Sequence, residues 1–310
     1  MTCHLSQSCA ASAAPSRVWR SVGGTTVRAP GGGRMTAAVA GIILLACISP
    51  AQAQLTLLSQ NALHLGWGQN KTAKYTFFQN LFSQFDVILI QELMPKYQQV
   101  TGDPVKPTGY NWQLSGTLGP TGYLEQYGFL VKSSLTVDAT KAGTVVTYPY
   151  GGFSRPATGI LLQTGKTNAE WTWFVDYHAV FGRHVSLRQA EVKVMANVYQ
   201  YFGAVLDSQG NAHNRIIMCG DWNLPADDPA YQPLAKLVDT ISPTLATSLT
   251  PQGAPTSAYD HCVWNSKAIG TIPTPQICSP LVSSNSCTGG TSPFSDFRKN
   301  ISDHLGIYVK

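Results

Sequence analysis

The segment "RIIMCGDWNLPADDP", Arg215–Pro229, joins an apolar run to a group of polar residues. The run Ile216–Cys219 is short and apolar, which predicts a buried β-strand. Gly220, Asp221 and Asn223 follow it, and these residue types are common in turns, so a simple turn is one interpretation. The other interpretation is that a rigid strand presents two polar side chains, one residue apart and therefore on the same side, to a metal ion or a phosphate.

Polar residues adjoin three further apolar runs. Val87–Ile90 is followed by Gln91–Glu92, and Trp171–Tyr177 is followed by His178. The segment Ser302–His304 leads into the last apolar run of the chain. Because the strands of one sheet bring such ends to a common edge, we expect a cluster of Glu, Asp, Asn and His there.

Short apolar runs rich in β-branched and aromatic residues alternate with helical patterns along the chain. The runs that predict strands are Leu55–Leu58, Val87–Ile90, Tyr127–Val131, Thr158–Leu162, Trp171–Tyr177, Ile216–Cys219, His261–Trp264 and Leu305–Val309. Helices are predicted over Lys71–Gln84 and Ser186–Leu206, the second from Ala190, Val194, Val198 and Phe202 at helical spacing. This mixture predicts an α/β fold with two packed sheets and helices outside them.

The N-terminal region has the features of an export signal. Residues 35–53, "MTAAVAGIILLACISPAQA", form an apolar stretch that ends in a small-residue pattern, which predicts cleavage before Gln54. Residues 1–34 are interpreted as an upstream extension, with translation starting at Met35. A lipoprotein signal with the lipid on Cys47 is the alternative.

Residues 54–310 are predicted to form a single domain that is secreted or periplasmic. Residues 1–53 hold four of the 21 Lys and Arg residues and none of the 16 Asp and Glu residues, so the remainder carries 17 against 16. This near-neutral balance gives no indication of nucleic-acid binding. No later stretch approaches the roughly 20 apolar residues of a membrane span. We expect a monomer without a stable membrane span.

Four cysteines follow the predicted leader. Cys278 and Cys287 bracket a Ser/Pro/Asn-rich loop, and in an oxidising compartment we expect a disulfide between them. Cys219 and Cys262 lie in apolar runs, and a bond between them requires neighbouring strands, which the sequence leaves open.

The polar cluster has the composition of a hydrolytic metal site. Hard oxygen ligands that suit Mg²⁺ or Mn²⁺ better than zinc come from Glu92, Asp221, Asn223 and Asp303. His178 and His304 have ordinary pKa values near neutrality and can exchange protons. Together they favour metal-assisted hydrolysis of a phosphate ester. The sequence has neither the GxxxxGK[ST] phosphate loop nor the GxSxG elbow, which argues against a kinase, an ATPase or a serine hydrolase.

The full set of motifs resembles the endonuclease/exonuclease/phosphatase superfamily, and within it the deoxyribonuclease I branch fits best. The motifs, in chain order, are "SQN" (Asn61), "LIQE" (Glu92), "YLEQYGFL" (Tyr123, Glu125), "FSRP" (Arg155), "DYH" (His178), "GDWN" (Asp221, Asn223), "YDHCVW" (Asp260) and "SDHLG" (Asp303, His304). The resemblance implies a four-layer sandwich of two packed mixed β-sheets flanked by helices. It also implies a metal-dependent endonuclease that cuts DNA and leaves 5′-phosphate ends.

The resemblance also implies a role for each motif residue. The divalent ion, Mg²⁺ or Mn²⁺, would lie among Glu92, Asn61 and Asp303, and a structural Ca²⁺ is an additional expectation. Asp221 and Asn223 would hold the scissile phosphate and the attacking water. Glu125 would orient His178, and Asp260 would orient His304. Arg155 and Tyr123 would contact the phosphate.

Two positions depart from the deoxyribonuclease I pattern. That branch has arginines for the DNA minor groove where this chain has Leu63 and Met94. A nucleic-acid substrate, DNA first, therefore competes with two alternatives on the same scaffold. One is a toxin catalytic subunit similar to the B subunit of cytolethal distending toxin, which would need partner subunits, and the other is a phosphoinositide or sphingomyelin hydrolase. A non-catalytic binding module is disfavoured because every metal and histidine position is present. The remaining histidines are assigned to surface or packing positions: His64, His184, His213 and His261.

Overall fold

The computed structural model describes most of the chain after the predicted leader. The described residues are 55–67, 71–99, 103–165, 170–270, 272–278 and 294–310. The predicted extension 1–34, the signal 35–53 with Cys47, and Cys287 lie outside the described residues.

The described residues contain fourteen strands and four α-helices. The strands are β1 (Leu57–Leu65), β2 (Val87–Leu93), β3 (Tyr110–Leu114), β4 (Gln126–Lys132), β5 (Val146–Thr147), β6 (Thr158–Gln163), β7 (Trp171–His178), β8 (Ile216–Asp221), β9 (Thr240–Ser242), β10 (Ser248–Leu249), β11 (Pro255–Ser257), β12 (Asp260–Trp264), β13 (Gln276–Ile277) and β14 (Ile307–Val309). The helices are α1 (Lys71–Phe82), α2 (Val185–Ala204), α3 (Ser266–Ile269) and α4 (Phe294–Asn300). All eight predicted strands and both predicted helices are confirmed.

The strands form two six-stranded mixed sheets and one small hairpin. The first sheet has the order β13-β14-β1-β2-β4-β3, and the second has the order β5-β6-β7-β8-β12-β9. Each sheet has one parallel pair, β1 with β2 and β7 with β8. The hairpin pairs β10 with β11. Since a parallel pair places both carboxyl ends at one edge, each sheet brings two strand ends together.

Three hydrophobic clusters fill the spaces between the layers. Between the sheets, residues such as Leu89 of β2 and Phe174 of β7 are buried. The outer face of the first sheet is covered by α1 through Phe78 and Phe82. The outer face of the second sheet is covered by α2, for example through Phe202. The predicted four-layer α/β sandwich is therefore confirmed. None of the described helices is both long and apolar enough to cross a bilayer.

The buried face of α2 differs in part from the predicted stripe. Val198 and Phe202 are buried as expected, but Ala190 is exposed and Val194 is only partly buried. Glu191 also faces the protein, where it accepts hydrogen bonds from Tyr177 Oη at 3.0 Å and from two backbone N–H groups. The apolar residues that α2 buries are Val192, Met195, Val198 and Phe202.

A disulfide joins Cys219 of β8 to Cys262 of β12. These two residues are directly paired in the antiparallel ladder, and their Cα atoms lie 4.0 Å apart. The structure therefore shows that these two cysteines are bonded, which the sequence left open. Cys278 is also disulfide-bonded, and Cys287, its predicted partner, lies outside the described residues.

Gly220 sits where β8 passes close to β7. Its φ is +147°, and a Cβ atom at this position would lie 1.9 Å from the carbonyl oxygen of Tyr177. No other residue fits this approach without moving the backbone. The glycine between the apolar run and Asp221 therefore serves close strand packing, and Asp221 itself is the last residue of β8.

Candidate active site

Polar residues from both sheets meet at one edge of the sandwich. The side chains that converge there are Asn61 of β1, Glu92 of β2, His178 of β7, Asp221 of β8, Asp260 of β12 and His304 before β14. All six are at most 8 % exposed. The expected cluster of strand-end residues is thus present.

Asp221 lies at the centre of this cluster. Its Oδ2 accepts a hydrogen bond from Asn61 Nδ2 at 3.0 Å. The same oxygen lies 3.7 Å from Nε2 of His178 and 3.4 Å from Nε2 of His304. Its Oδ1 accepts the backbone N–H of Asn223 at 2.9 Å. A single buried carboxylate therefore faces both histidines.

Each of these histidines is held by a second carboxylate on its other nitrogen. Nδ1 of His178 lies 2.7 Å from Glu125 Oε1, and Nδ1 of His304 lies 2.7 Å from Asp260 Oδ2. This arrangement fixes the ring orientation and directs both Nε2 atoms toward Asp221. The two carboxylate–histidine pairs that the resemblance implied are brought together by the structure.

The two histidines differ in their proton affinity. Burial, with the Arg155 guanidinium, lowers the pKa of His178 to about 4. Burial also acts against a charged His304, but the carboxylates of Asp221 and Asp260 outweigh it and raise the pKa of His304 well above its ordinary value. At neutral pH one imidazole is therefore neutral and the other is protonated. Environments that separate two pKa values in this way are suited to a base and an acid.

Glu92 is aimed into the site by an irregular strand. Its φ is +57°, and the ladders of β2 with β1 and with β4 both shift register beside it. In a regular strand Gln91, which faces the other sheet, and Glu92 would point to opposite sides. The bulge turns Glu92 toward Asn61, whose Nδ2 donates to Glu92 Oε1 at 3.1 Å. Local backbone strain at such a position is typical of functional sites.

The other predicted site residues take less regular positions. Asn223 lies beyond the end of β8 with a φ of +49°, so the interpretation in which one strand presents Asp221 and Asn223 on the same side does not hold. Its Nδ2 donates instead to the carbonyl of Ala179 at 3.1 Å. The carboxylate of Asp303 pairs with Arg298 at 3.5 Å, while its Oδ1 is buried and has no hydrogen-bond partner among the described residues.

Arg155 is buried beside the C-terminal end of β7. Its Nε donates to the carbonyl of His178 at 3.2 Å and lies 3.3 Å from Glu125 Oε1. Its Nη2 donates to the carbonyl of Ala179 at 2.7 Å. These contacts stabilise the end of β7, so direct binding of phosphate by Arg155 stays a prediction.

His64, which we assigned from the sequence to a surface or packing position, lies in the site. Its Nε2 is 2.7 Å from Tyr123 Oη and 3.3 Å from Glu92 Oε2. Its backbone N–H also donates to Glu92 Oε2 at 3.0 Å. His261, in contrast, is a packing residue, fully buried with both ring nitrogens on backbone carbonyls.

Asp176 and Lys74 are two further polar residues that contact segments carrying the site. Gln91 hydrogen-bonds Asp176 of β7, and burial raises the pKa of Asp176 well above its ordinary value. Lys74 of α1 donates to the carbonyls of Ala62 and Leu63 at 3.2 and 2.6 Å. Burial lowers the pKa of Lys74 to about 8. Sequence reasoning missed both, because a lone Asp in a strand and a Lys in a helix carry no motif.

Three ligand atoms in the cluster lie close enough together to share a metal ion. They belong to Asp221, Asp260 and His304 and are all within 4.8 Å of one another. This set differs from the predicted ligands Glu92, Asn61 and Asp303. Both nitrogens of His304 lie beside carboxylates. These carboxylates suit a protonated imidazole as well as a metal ion.

Comparison with known proteins identifies a family that this chain matches. The sequence profile described as "Endonuclease/Exonuclease/phosphatase family" matches residues 58–304. A deoxyribonuclease from Thioalkalivibrio sp. (strain K90mix) is 25 % identical over 282 residues, which is 86 % of this chain and 74 % of that protein.

Two solved structures show the same fold. ANGEL2, a 2′,3′-cyclic phosphatase, superposes with a TM-score of 0.54 at 11 % identity, over 82 % of this chain and 94 % of that one. A beta toxin from Staphylococcus aureus gives a TM-score of 0.50 at 14 % identity, over 83 % and 99 % of the two chains. Enzymes of this family depend on divalent metal ions. With most of its length matched to the profile, this chain belongs to the endonuclease/exonuclease/phosphatase family.

Proposed function

We propose that this protein is a metal-dependent deoxyribonuclease that hydrolyses DNA phosphodiesters and leaves 5′-phosphate ends. The observation that carries the proposal is the meeting of two carboxylate–histidine pairs, Glu125–His178 and Asp260–His304, at Asp221. The similarity to a deoxyribonuclease supports DNA as the substrate. The family membership supports hydrolysis of a phosphate ester in general.

The two histidines divide the proton transfers. His178 is neutral, and its Nε2 takes a proton from the attacking water while Glu125 holds Nδ1. The water oxygen forms a bond to phosphorus, and the bond from phosphorus to the 3′ oxygen breaks. His304 is protonated and gives its proton to that leaving oxygen. Asp221 and Asn223 hold the water and the phosphate between the two rings.

The metal ion would be held on the Glu92 side of the site. Glu92 and Asp303 offer carboxylate oxygens, and the buried Oδ1 of Asp303, unpartnered among the described residues, fits a missing cation. Asn61 contacts Glu92 and Asp221 and would position both. A bound Mg²⁺ or Mn²⁺ supplies positive charge that offsets the charge developing on the phosphate.

A specific observation favours a second candidate, a hydrolase of a phosphate ester other than duplex DNA. Met94 is fully buried and Leu63 is apolar, so neither can supply the charge that the arginines of deoxyribonuclease I supply. Duplex binding depends on such charges. Phosphoinositides and sphingomyelin are the substrates to test in that case, and a toxin-like role would require partner subunits.

Cleavage of supercoiled plasmid tests the first proposal. Residues 54–310 are incubated with Mg²⁺ or Mn²⁺, with an EDTA control, beside His304→Gln and the matched surface variant Asp239→Asn. Asp239 lies beside Trp264, at the opposite end of β12 from Asp260. Nicking that requires both the metal and His304 supports the nuclease. A folded protein that leaves the plasmid intact with every metal but hydrolyses a lipid phosphodiester would favour the second candidate.

We also propose that the protein is exported and cleaved before Gln54. The proposal is supported by the apolar stretch of residues 35–53 and its small-residue end. The measurement is the intact mass of the protein recovered outside the cytoplasm. A mass that corresponds to a chain beginning at Gln54 supports cleavage there, and a lipidated Cys47 would contradict it.

A further inference from the structure

His64 occupies a position for which no role has been assigned. Leu63 and His64 both have left-handed backbone conformations, with φ of +41° and +55°. Both residues lie within β1, where its register against β2 shifts between Asn61 and Leu65. The His64 backbone N–H and ring both approach Glu92 Oε2, at 3.0 and 3.3 Å. Non-glycine residues rarely adopt this conformation, and two in succession indicate a position that the surrounding structure enforces.

The His64 ring is held in place from several directions. Its centroid lies 5.5 Å from that of Tyr123 and 5.7 Å from that of Trp67. Lys74 holds this part of β1 by donating to the Leu63 carbonyl at 2.6 Å. The side chain nevertheless keeps 38 % of its surface exposed.

We propose that Nε2 of His64 is a ligand of the divalent ion bound by Glu92, and that the site therefore prefers Mn²⁺ to Mg²⁺. The proposal rests on the metal-dependent function proposed above. Two ligands about 2.1 Å from one ion at a right angle are about 3 Å apart. The 3.3 Å between His64 Nε2 and Glu92 Oε2 fits such a pair. Imidazole suits first-row transition ions, whereas Mg²⁺ selects oxygen ligands.

The competing role for His64 is to orient Tyr123. Nε2 lies 2.7 Å from Tyr123 Oη, and that hydroxyl is itself 3.3 Å from Glu92 Oε2. If His64 acted only through this hydroxyl, removing the hydroxyl and removing the imidazole would have the same effect on the metal. A metal ligand would instead be required even when the hydroxyl is absent. The two roles are therefore separable by variants of His64 and Tyr123.

The experiment measures metal binding without DNA. Mn²⁺ affinity is followed by electron paramagnetic resonance and Mg²⁺ affinity by competition, for the wild type, His64→Gln, Tyr123→Phe and Glu92→Gln. His184→Gln serves as the control for an exposed histidine, and circular dichroism verifies folding of each variant. We expect His64→Gln to weaken Mn²⁺ binding by about tenfold or more, and Mg²⁺ binding much less. Tyr123→Phe is expected to leave the ratio of the two affinities unchanged.

A spectroscopic signature makes the result direct. Electron spin echo modulation from a coordinated imidazole nitrogen should be present for Mn²⁺ in the wild type and in His184→Gln, and absent in His64→Gln. Equal weakening of Mn²⁺ and Mg²⁺ in His64→Gln, or persistence of the nitrogen signal, overturns the proposal. Loss of metal binding in Glu92→Gln combined with an unchanged His64→Gln would reject His64 as a ligand and leave the nuclease proposal intact. If the wild type binds no divalent ion, both proposals fail.

Discussion

Nδ1 of His304 lies 2.7 Å from Oδ2 of Asp260, and both side chains are buried. The carboxylate is one of the groups that raise the pKa of His304. We expect Asp260→Asn to lower kcat by about 10²–10⁴-fold, because the imidazole loses both its orientation and its proton affinity. Plasmid nicking rates and an NMR titration of the His304 ring measure the two effects. A variant that keeps a third of the wild-type rate would contradict the assigned role, and Asp239→Asn is the matched control.

The pH dependence of stability should carry a contribution from His304 with a defined sign. Its folded pKa is raised, so the stabilisation is fully present below the unfolded value of about 6.5 and is lost as the pH rises through the folded pKa. Urea unfolding in EDTA at pH 6 and pH 9 is the measurement. The wild type should lose more stability across this range than His304→Gln. Equal losses would show that the ring is not protonated in the fold.

The Glu125–His178 pair should contribute little to the pH dependence of stability. Burial raises the pKa of Glu125 to about 7, against the effect of Arg155, and burial lowers the pKa of His178 to about 4. A folded pair that titrates near 7 and 4 takes up protons over nearly the same range as free His and Glu, at about 6.5 and 4.3. Between pH 7 and pH 4.5, the double variant Glu125→Gln/His178→Gln should therefore show the same change in unfolding free energy as the wild type. A clearly different slope would show that the pair titrates otherwise.

Gly220→Ala should destabilise the protein strongly. The new Cβ would lie 1.9 Å from the Tyr177 carbonyl oxygen, at a φ of +147°. We expect a loss of about 3 kcal/mol or more in the free energy of unfolding, measured by urea denaturation. Gly151→Ala is the comparison, since a Cβ at Gly151 would meet no atom of the described residues within 4 Å. Similar stabilities for the two variants would mean that β7 and β8 can separate at little cost.

Substitution by arginine should have different effects at Leu63 and at Met94, the two positions that depart from the deoxyribonuclease I pattern. Leu63 is partly exposed beside the site, so Leu63→Arg adds a charge where DNA would lie. It should raise duplex affinity and steepen the salt dependence by about one unit of slope. Met94 is fully buried, so Met94→Arg should lower the melting temperature and give no gain in binding. Binding titrations at several salt concentrations and thermal melts check both expectations.

The sequence predicted the strands whose apolar residues are buried and missed the shorter or more polar ones at the edges. β8 was predicted from "IIMC" because both of its faces are covered, and such strands read as continuous apolar runs. β3, an edge strand, does alternate apolar and polar residues in "YNWQL", and the prediction overlooked this pattern. β13, the other edge strand of the same sheet, is only two residues long, and its position depends on tertiary contacts that a single sequence does not show.

The sequence predicted which residues form the site better than it predicted how they are arranged. Glu92, His178, Asp221 and His304 were found because each adjoins an apolar strand. The location of His64 was wrong because it depends on two consecutive left-handed residues that nothing in "NALHL" indicates. Of the two interpretations of "GDWN", the one that puts Asp221 and Asn223 on the same side of a strand is wrong, because β8 ends at Asp221 and Asn223 has a φ of +49°.

The disulfide between Cys219 and Cys262 bears on alignment as well as on stability. Asp221 and Asp260 are each two residues from a bridged cysteine and face each other in the same antiparallel ladder. Any slip of β12 along β8 would carry Asp260, and with it the support of His304, away from Asp221. The covalent bond prevents every such slip, so oxidation of the two cysteines commits the chain to the one strand pairing that places Asp260 opposite Asp221.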